Sequence, residues 1–212
     1  LAASATVPAL AALLIGVPTL RLTGVYLAIA TIGLGEVLRV VYINTDALGG
    51  ALGLSGIPER ANGWIIYGIL AAALAGFLLL GRSRLGRAFE AIRADEDAAR
   101  VMGINVAAFK MSALVLSAAL AGLAGCLNAH HSSFIGPGEY GFEPAVTILS
   151  FAILGGVTTP LGPVLGAFVL TALPEVLRFL SDFRLVFNGL IIVLVVLFLP
   201  RGILGFRIRR TG

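Results

Sequence analysis

Few side chains in this 212-residue chain have types and spacing suited to chemistry. Glu36 and Arg39 stand three apart inside an apolar run, so on a helix they share one face. A carboxylate and a guanidinium placed there either neutralise each other or serve an ion or solute path, because charge in lipid is costly. Gly49-Gly50 and Gly155-Gly156 interrupt apolar stretches, where broken helices line a path through a membrane protein. His130 and His131 are adjacent, but no cysteine or further histidine stands close enough to complete a zinc set, and they read as an outer-loop surface pair. Cys126, the one cysteine, has no disulfide partner within the chain and reads as a small packing residue. No Gly-Lys pair occurs, so the chain lacks a phosphate-binding P-loop. No Ser-His-Asp, paired-carboxylate or metal-ligand constellation stands at depth. The expectation is a chain without a catalytic site, metal or cofactor of its own.

The elements that position these residues follow from composition. Hydrophobic residues make up 58% of the chain and charged residues 12%. Soluble domains carry about 25% charged residues, so much of this chain must meet lipid rather than water. Residues 1–20, 61–81, 111–138 and 144–174 hold no Asp, Glu, Lys or Arg. A helical span needs roughly 20 mostly apolar residues. The runs are continuously apolar rather than alternating, which excludes barrel strands. The predicted fold class is all-α, a polytopic transmembrane helical bundle with broken or re-entrant helices. Spans are expected at 1–18, 23–43, 63–81, 111–129, 144–157, 162–180 and 185–199. The fifth is short and ends in Gly155-Gly156-Val157-Thr158-Thr159-Pro160-Leu161-Gly162-Pro163, so it reads as either a span or a re-entrant half-helix. Residues 1–212 are read as a single transmembrane domain, with 82–110 as a loop within it. The start at Leu1, inside an apolar run, reads as a fragment with earlier spans missing.

Basic residues set the orientation. Alternating spans put Arg21, the 82–110 loop and the tail 201–212 on one side, and most of the Lys and Arg with them. That side is predicted to be cytoplasmic. Arg60, Arg178 and Arg184 fall opposite, with Glu175 and Asp182 near two of them. The net charge of +4 therefore reflects membrane orientation, not nucleic-acid binding. Helix packing in lipid relies on small residues. Ser117, Ala121 and Gly125 form one such stripe, Ala118, Gly122 and Cys126 the next, and Gly162 with Gly166 a further pair.

The 82–110 segment carries the most information. It is long for a connection and reads as two short helices. Phe89 and Ile92 share a face of the first, Asp95 is placed to cap the second, Glu96 and Asp97 favour its positive end, and Gly103 suits its C-terminal stop. Ala98 and Ala99 stand where a bulky side chain would block close docking.

Asp97-Ala98-Ala99-x-x-x-Gly103 resembles the EAA loop of ABC importer permeases, with Asp for Glu. Gly86-Arg87-Ala88, Ala98-Ala99-Arg100 and Met102-Gly103-Ile104-Asn105 resemble, more narrowly, the branched-chain amino acid permease family of the LivM type. Leu20-Arg21-Leu22-Thr23-Gly24-Val25-Tyr26, Gly35-Glu36-Val37-Leu38-Arg39, Gly53-Leu54-Ser55-Gly56-Ile57-Pro58 and Leu199-Pro200-Arg201-Gly202-Ile203-Leu204-Gly205 continue the likeness in order. Leu48-Gly49-Gly50-Ala51-Leu52-Gly53 and the Thr158-Thr159-Pro160 centre depart from the family pattern.

The resemblance implies a membrane-spanning subunit of a bacterial plasma-membrane ABC importer that moves branched-chain or other hydrophobic amino acids. It implies cytoplasmic ATP-binding subunits, a second permease subunit and an extracytoplasmic solute-binding protein as partners, with membrane lipid as solvent. Glu90, Asp97, Ala98, Ala99 and Gly103 would couple to the ATPase. Glu36, Arg39, Gly49, Gly50, Gly155 and Gly156 would border the transport path. Glu59, Glu139 and Glu143 would face the binding protein. Two alternatives remain: an ABC permease for another small solute such as urea or a sugar, and an ion-gradient-driven secondary transporter. The second would call for membrane acids along an ion path, and Glu36 alone sits well inside a span.

Overall fold

Gly141 and Phe142 divide the computed structural model into two compact units. It describes residues 2–19, 25–46, 49–157 and 159–176. The expected span 185–199, the end of 162–180 and the basic tail lie outside the described residues.

In the first unit four long helices form as the apolar runs require. They are α1 (Ala2–Thr19), α2 (Val25–Ile43), α3 (Gly63–Arg82) and α6 (Val106–Ser132), with α4 (Arg84–Ala94) and α5 (Glu96–Val101) between α3 and α6. Among the described residues α1, α3 and α6 are long and apolar enough to cross a membrane. At 1.5 Å per residue α3 is about 30 Å long, the thickness of a bilayer's hydrocarbon core. None of its residues is buried within the chain. Its large apolar side chains, Leu79 among them at 69% exposure, therefore face lipid or other subunits, where no water penalises them.

α1 lies antiparallel along α6. A Cβ built on Gly16 would sit 2.8 Å from Leu114 Cδ2 and from Met111 Sδ. One built on Gly122 would overlap the Ser4 carbonyl and come 2.6 Å from Pro8 Cγ. Glycine at 122 thus lets two backbones approach, which is how helices associate without a hydrophobic drive. Gly125, on the neighbouring stripe, meets nothing within 4 Å.

The ends of these helices sort into two layers. At one end β1 (Leu54–Ser55), which leads into α3, pairs antiparallel with β2 (Phe134–Ile135), which follows α6. His130 Nδ1 lies 2.9 Å from the Pro58 carbonyl and pins the same two segments. His130 and His131 belong to the last turn of α6, not to a loop. His131 is exposed, whereas His130 is half-buried in this clasp. Tyr42, Trp64, Tyr67 and Tyr140 are exposed near this end, as an interfacial aromatic belt requires. The 82–110 segment occupies the opposite end of α3 and α6. α6 begins at Val106, five residues before the expected span, because Asn105 Oδ1 accepts from the Ala108 N–H and caps it there. Lys110, read from sequence as a boundary, lies on the helix itself.

The second unit contains α7 (Phe142–Gly155) and α8 (Gly162–Val176). They cross through glycine. A Cβ on Gly155 would overlap the Gly162 carbonyl, and one on Gly166 would overlap the Phe151 carbonyl and sit 2.8 Å from Gly155 N. Gly156 makes the corner at φ 97°. The Gly162/Gly166 pair expected from sequence is therefore the crossing point of α7 and α8. The 14 residues of α7 reach about 21 Å at 1.5 Å per residue, short of the roughly 30 Å a span must cover.

Candidate functional site

The 82–110 segment folds as a capped helical module rather than an open loop. Ser83 turns the chain off α3: its Oγ accepts from the Gly86 N–H at 3.2 Å and donates to the Leu80 carbonyl at 2.7 Å. Gly86 is required at this corner, because a Cβ there would overlap the Leu80 carbonyl and come 2.6 Å from that of Gly81. Asp95, in extended conformation, ends α4 and starts α5. Its Oδ1 accepts from the N–H groups of Asp97 at 2.9 Å and Ala98 at 3.0 Å, as the sequence predicts for an N-cap.

α5 ends in a Schellman arrangement. The Gly103 N–H donates to the Arg100 carbonyl at 2.9 Å and the Ile104 N–H to that of Ala99 at 3.1 Å, with Gly103 at φ 85°. The left-handed residue is glycine, as expected.

A small core locks these pieces together. Ile92, Ala99 and Val106 are buried, with Ile104 and Phe109 packed against them. Phe89 meets Phe109 edge to face at 5.2 Å between ring centroids. The Lys110 ammonium reaches the Glu96 carboxylate at 2.7 Å and ties the start of α5 to α6. Arg100 pairs with Asp97 at 3.0 Å on the surface, a contact worth little in water.

The two alanines expected to share a docking face are separated by this fold. Ala99 is 3% exposed, and its small size serves the module's own core. Ala98 is exposed. So are Val101, at 87%, and Met102, at 81%. Ala98, Val101 and Met102 fall at i, i+3 and i+4, one patch at the tip of α5. Two large apolar side chains left bare on a polar module are what a docking surface presents. The sequence also offers Met102 and Phe89 as interface anchors or membrane-surface contacts; the structure leaves Met102 bare, turns Phe89 onto Phe109, and adds Val101 to the exposed patch. Glu90, on α4, and Asp97, beside this patch on α5, are both exposed.

The residues expected along a path sit elsewhere. Arg39 Nη1 donates to Glu36 Oε1 at 2.6 Å, towards the sheet end of α2. Gly49 and Gly50, at φ 85° and 54°, form the entry to a 3₁₀ turn, Gly50–Leu52, beyond α2. A Cβ on Gly49 would come 2.5 Å from the Gly53 carbonyl carbon, so a tight turn demands glycine there. Gly155 and Gly156 are buried at the α7–α8 corner. Close backbone approach accounts for their type, whatever else they border. Glu59, Glu139 and Glu143 are exposed. Among the described residues no cluster of three or more His, Cys, Asp or Glu could hold a metal ion.

The family model described as "Branched-chain amino acid transport system / permease component" matches residues 1–199. The chain belongs to this permease family. A LivM high-affinity branched-chain amino acid transport system permease protein of Salmonella typhimurium is 33% identical, over 93% of this chain and 55% of its own length. Its Escherichia coli counterpart is 32% identical, over 92% of this chain and 54% of its own length. A LivH permease protein of Escherichia coli is 32% identical over 67% of this chain and 46% of its length. The LsrC permease protein of an autoinducer 2 import system from Klebsiella pneumoniae is 30% identical over 74% of this chain and 48% of its length. The chain spans about half the length of the curated relatives it matches. No solved structure matches it.

Proposed function

We propose that the chain is a membrane-spanning permease subunit of an ABC importer in the bacterial plasma membrane, carrying branched-chain or other hydrophobic amino acids into the cell. The observation that carries this reading is the 82–110 module. Family membership supplies the setting, and the module supplies a mechanism. α5 presents Ala98, Val101 and Met102 to a cleft of a cytoplasmic ATP-binding subunit, while its own small core transmits the push to α6 and, through Gly86, to α3. Lys110–Glu96 and Phe89–Phe109 make the module rigid enough to carry force in either direction. A second permease subunit completes the path across the membrane. An extracytoplasmic binding protein delivers solute at the opposite end, where Glu59 and Glu139 offer charge; Glu143, in the first turn of α7, is a further candidate contact. The α7–α8 pair, with its short first helix and glycine crossing, is suited to re-entering the membrane.

Co-purification tests the reading. The tagged chain, solubilised in mild detergent from its native membranes, is expected to bring down an ATPase. Recovery free of any ATPase would favour an ion-gradient transporter instead. A second reading is supported by the likeness to the autoinducer 2 import permease: the same coupling with a different small solute. Competition of labelled leucine uptake by a panel of amino acids and sugars separates the two.

A further inference from the structure

Three arginines gather at the corner where α3 ends and α4 begins. Arg82 stands in the last turn of α3, and Arg84 and Arg87 in the first turn of α4. Ser83 makes the turn between them. Gly86 seats α4 on the end of α3 with no side chain between, its Cβ position lying 2.6 Å from the Gly81 carbonyl oxygen. Arg87 Nη1 donates to the Arg82 carbonyl at 3.4 Å, which holds two of the three together. All three residues are exposed. Among the described residues none of them forms an ion pair; the pairs found there engage Arg39, Arg100 and Lys110. No Asp or Glu stands between Glu59 and Glu90 in the chain. Like charges held side by side repel, and an anion shared between them relieves the repulsion.

The depth of this corner decides what carries the anion. α3 is 20 residues long, with none of them buried within the chain. Trp64 opens it at 85% exposure, and Arg82 closes it. Trp and Arg anchor a span at its two interfaces, so Arg82 sits at headgroup level. The close seat of Gly86 keeps Arg84 and Arg87 at the same level. Leu85 lies between them in sequence. It shares the apolar face of α4 with Phe89 and Ile92, at i, i+4 and i+7. Ile92 is buried in the core of the module and Phe89 packs on Phe109, whereas Leu85 stays 54% exposed. An acidic protein surface or a free phosphate would match the guanidiniums and leave Leu85 uncovered. A lipid supplies both a phosphate and an acyl chain.

We propose that Arg82, Arg84 and Arg87 bind the phosphate of an anionic phospholipid, with Leu85 against the top of its acyl chain. Guanidinium forks share the phosphodiester oxygens in charge-assisted hydrogen bonds. The site belongs to α3 and α4, not to the α5 patch of Ala98, Val101 and Met102. It requires that α3 spans the membrane and depends on neither the solute nor ATP.

The test uses photoactivatable lipid. The permease is purified in mild detergent with the partners that stay bound to it and returned to phosphatidylcholine vesicles. These hold a minor share of phosphatidylglycerol with a diazirine at the top of one acyl chain, or of phosphatidylcholine with the same diazirine. Labelled peptides are mapped by mass spectrometry. At equal lipid fraction phosphatidylglycerol should label residues 82–89 roughly tenfold more than phosphatidylcholine, since each arginine beside an anionic headgroup is worth on the order of fivefold in affinity and the three share one phosphate. Arg84→Gln should cut the preference by about fivefold, and glutamine at 82, 84 and 87 together should abolish it. Arg93→Gln removes the same charge about 14 Å along α4 from Arg84, at 1.5 Å per residue, and should leave the preference unchanged. Excess sn-glycerol 3-phosphate should not compete. Should the triple variant fail to accumulate, Arg84→Gln and the lipid preference of the wild type decide alone. Equal labelling by the two lipids, or a preference that survives Arg84→Gln, would overturn the proposal. So would an equal fall in Arg93→Gln, which means diffuse attraction, or suppression by glycerol phosphate, which means a free-anion site. A preference that emerges only after the partners are stripped away would show that protein covers the corner, and would overturn it too.

Discussion

Replacing Val101 and Met102 together by serine should detach the ATP-binding subunit without disturbing the fold of the 82–110 module. Both side chains are almost fully exposed, at 87% and 81%, so neither contributes appreciably to the chain's own stability. Burying a Val or Met side chain in a partner contributes about 1.5–3 kcal/mol. Part of the area stays wet at any interface, so the double change should cost on the order of 3 kcal/mol, roughly a hundredfold in Kd. The assay is titration of detergent-solubilised permease with its purified ATPase, read by fluorescence anisotropy. Limited proteolysis between 82 and 110 serves as the control for folding. A doubly substituted protein that binds the ATPase within a factor of three of the wild type, with the module still protease-resistant, would show that Val101 and Met102 do not dock.

Ala99→Trp should act differently: forced into a site 3% exposed, it overpacks the Ile92–Val106 core by about 1–3 kcal/mol and should open the module to protease before any binding is measured. Asp95→Ala removes the acceptor of two N–H groups and should loosen α5 by about 0.5–2 kcal/mol, seen as faster amide exchange over 96–101. Gly122→Val should prevent α1 from lying on α6, because any Cβ there overlaps the Ser4 carbonyl; cross-linking of cysteines placed at 16 and 111 in a Cys126→Ala background should fall to the level of a non-contacting pair. In the same background, a cysteine at 84 should resist a membrane-impermeant thiol reagent in intact cells while one at 59 reacts, since the structure puts these positions at opposite ends of α3.

Local chemistry is legible in the amino-acid sequence alone. Asp95 as a cap, Gly103 as a left-handed stop and the two short helices between Arg82 and Val106 depend on residues within one or two turns of each other, and short-range rules decide them. Membrane-length helices are legible because lipid demands long apolar runs whatever the tertiary fold. What the sequence withholds is long-range. Ala98 and Ala99 look alike in order, and only the return of Val106 and Phe109 over α5 decides which is buried. Gly122 and Gly125 lie on adjacent small-residue stripes, yet α1 uses one and leaves the other open. His130 grips a carbonyl 72 residues away, a pairing no local pattern encodes. Lys110 looks like the edge of a span because charge usually marks one; its partner Glu96 holds it on the helix instead.

The proposed function requires that amino acids cross only when a partner subunit hydrolyses ATP. The direct measurement is uptake of labelled L-leucine into proteoliposomes holding the assembled transporter, with binding protein outside and ATP sealed inside. Uptake should require ATP, fall to background when the ATP is replaced by a non-hydrolysable analogue, and fall equally when the permease carries the Val101→Ser and Met102→Ser changes. Leucine accumulation that continues without ATP, driven by an ion gradient alone, would contradict the account.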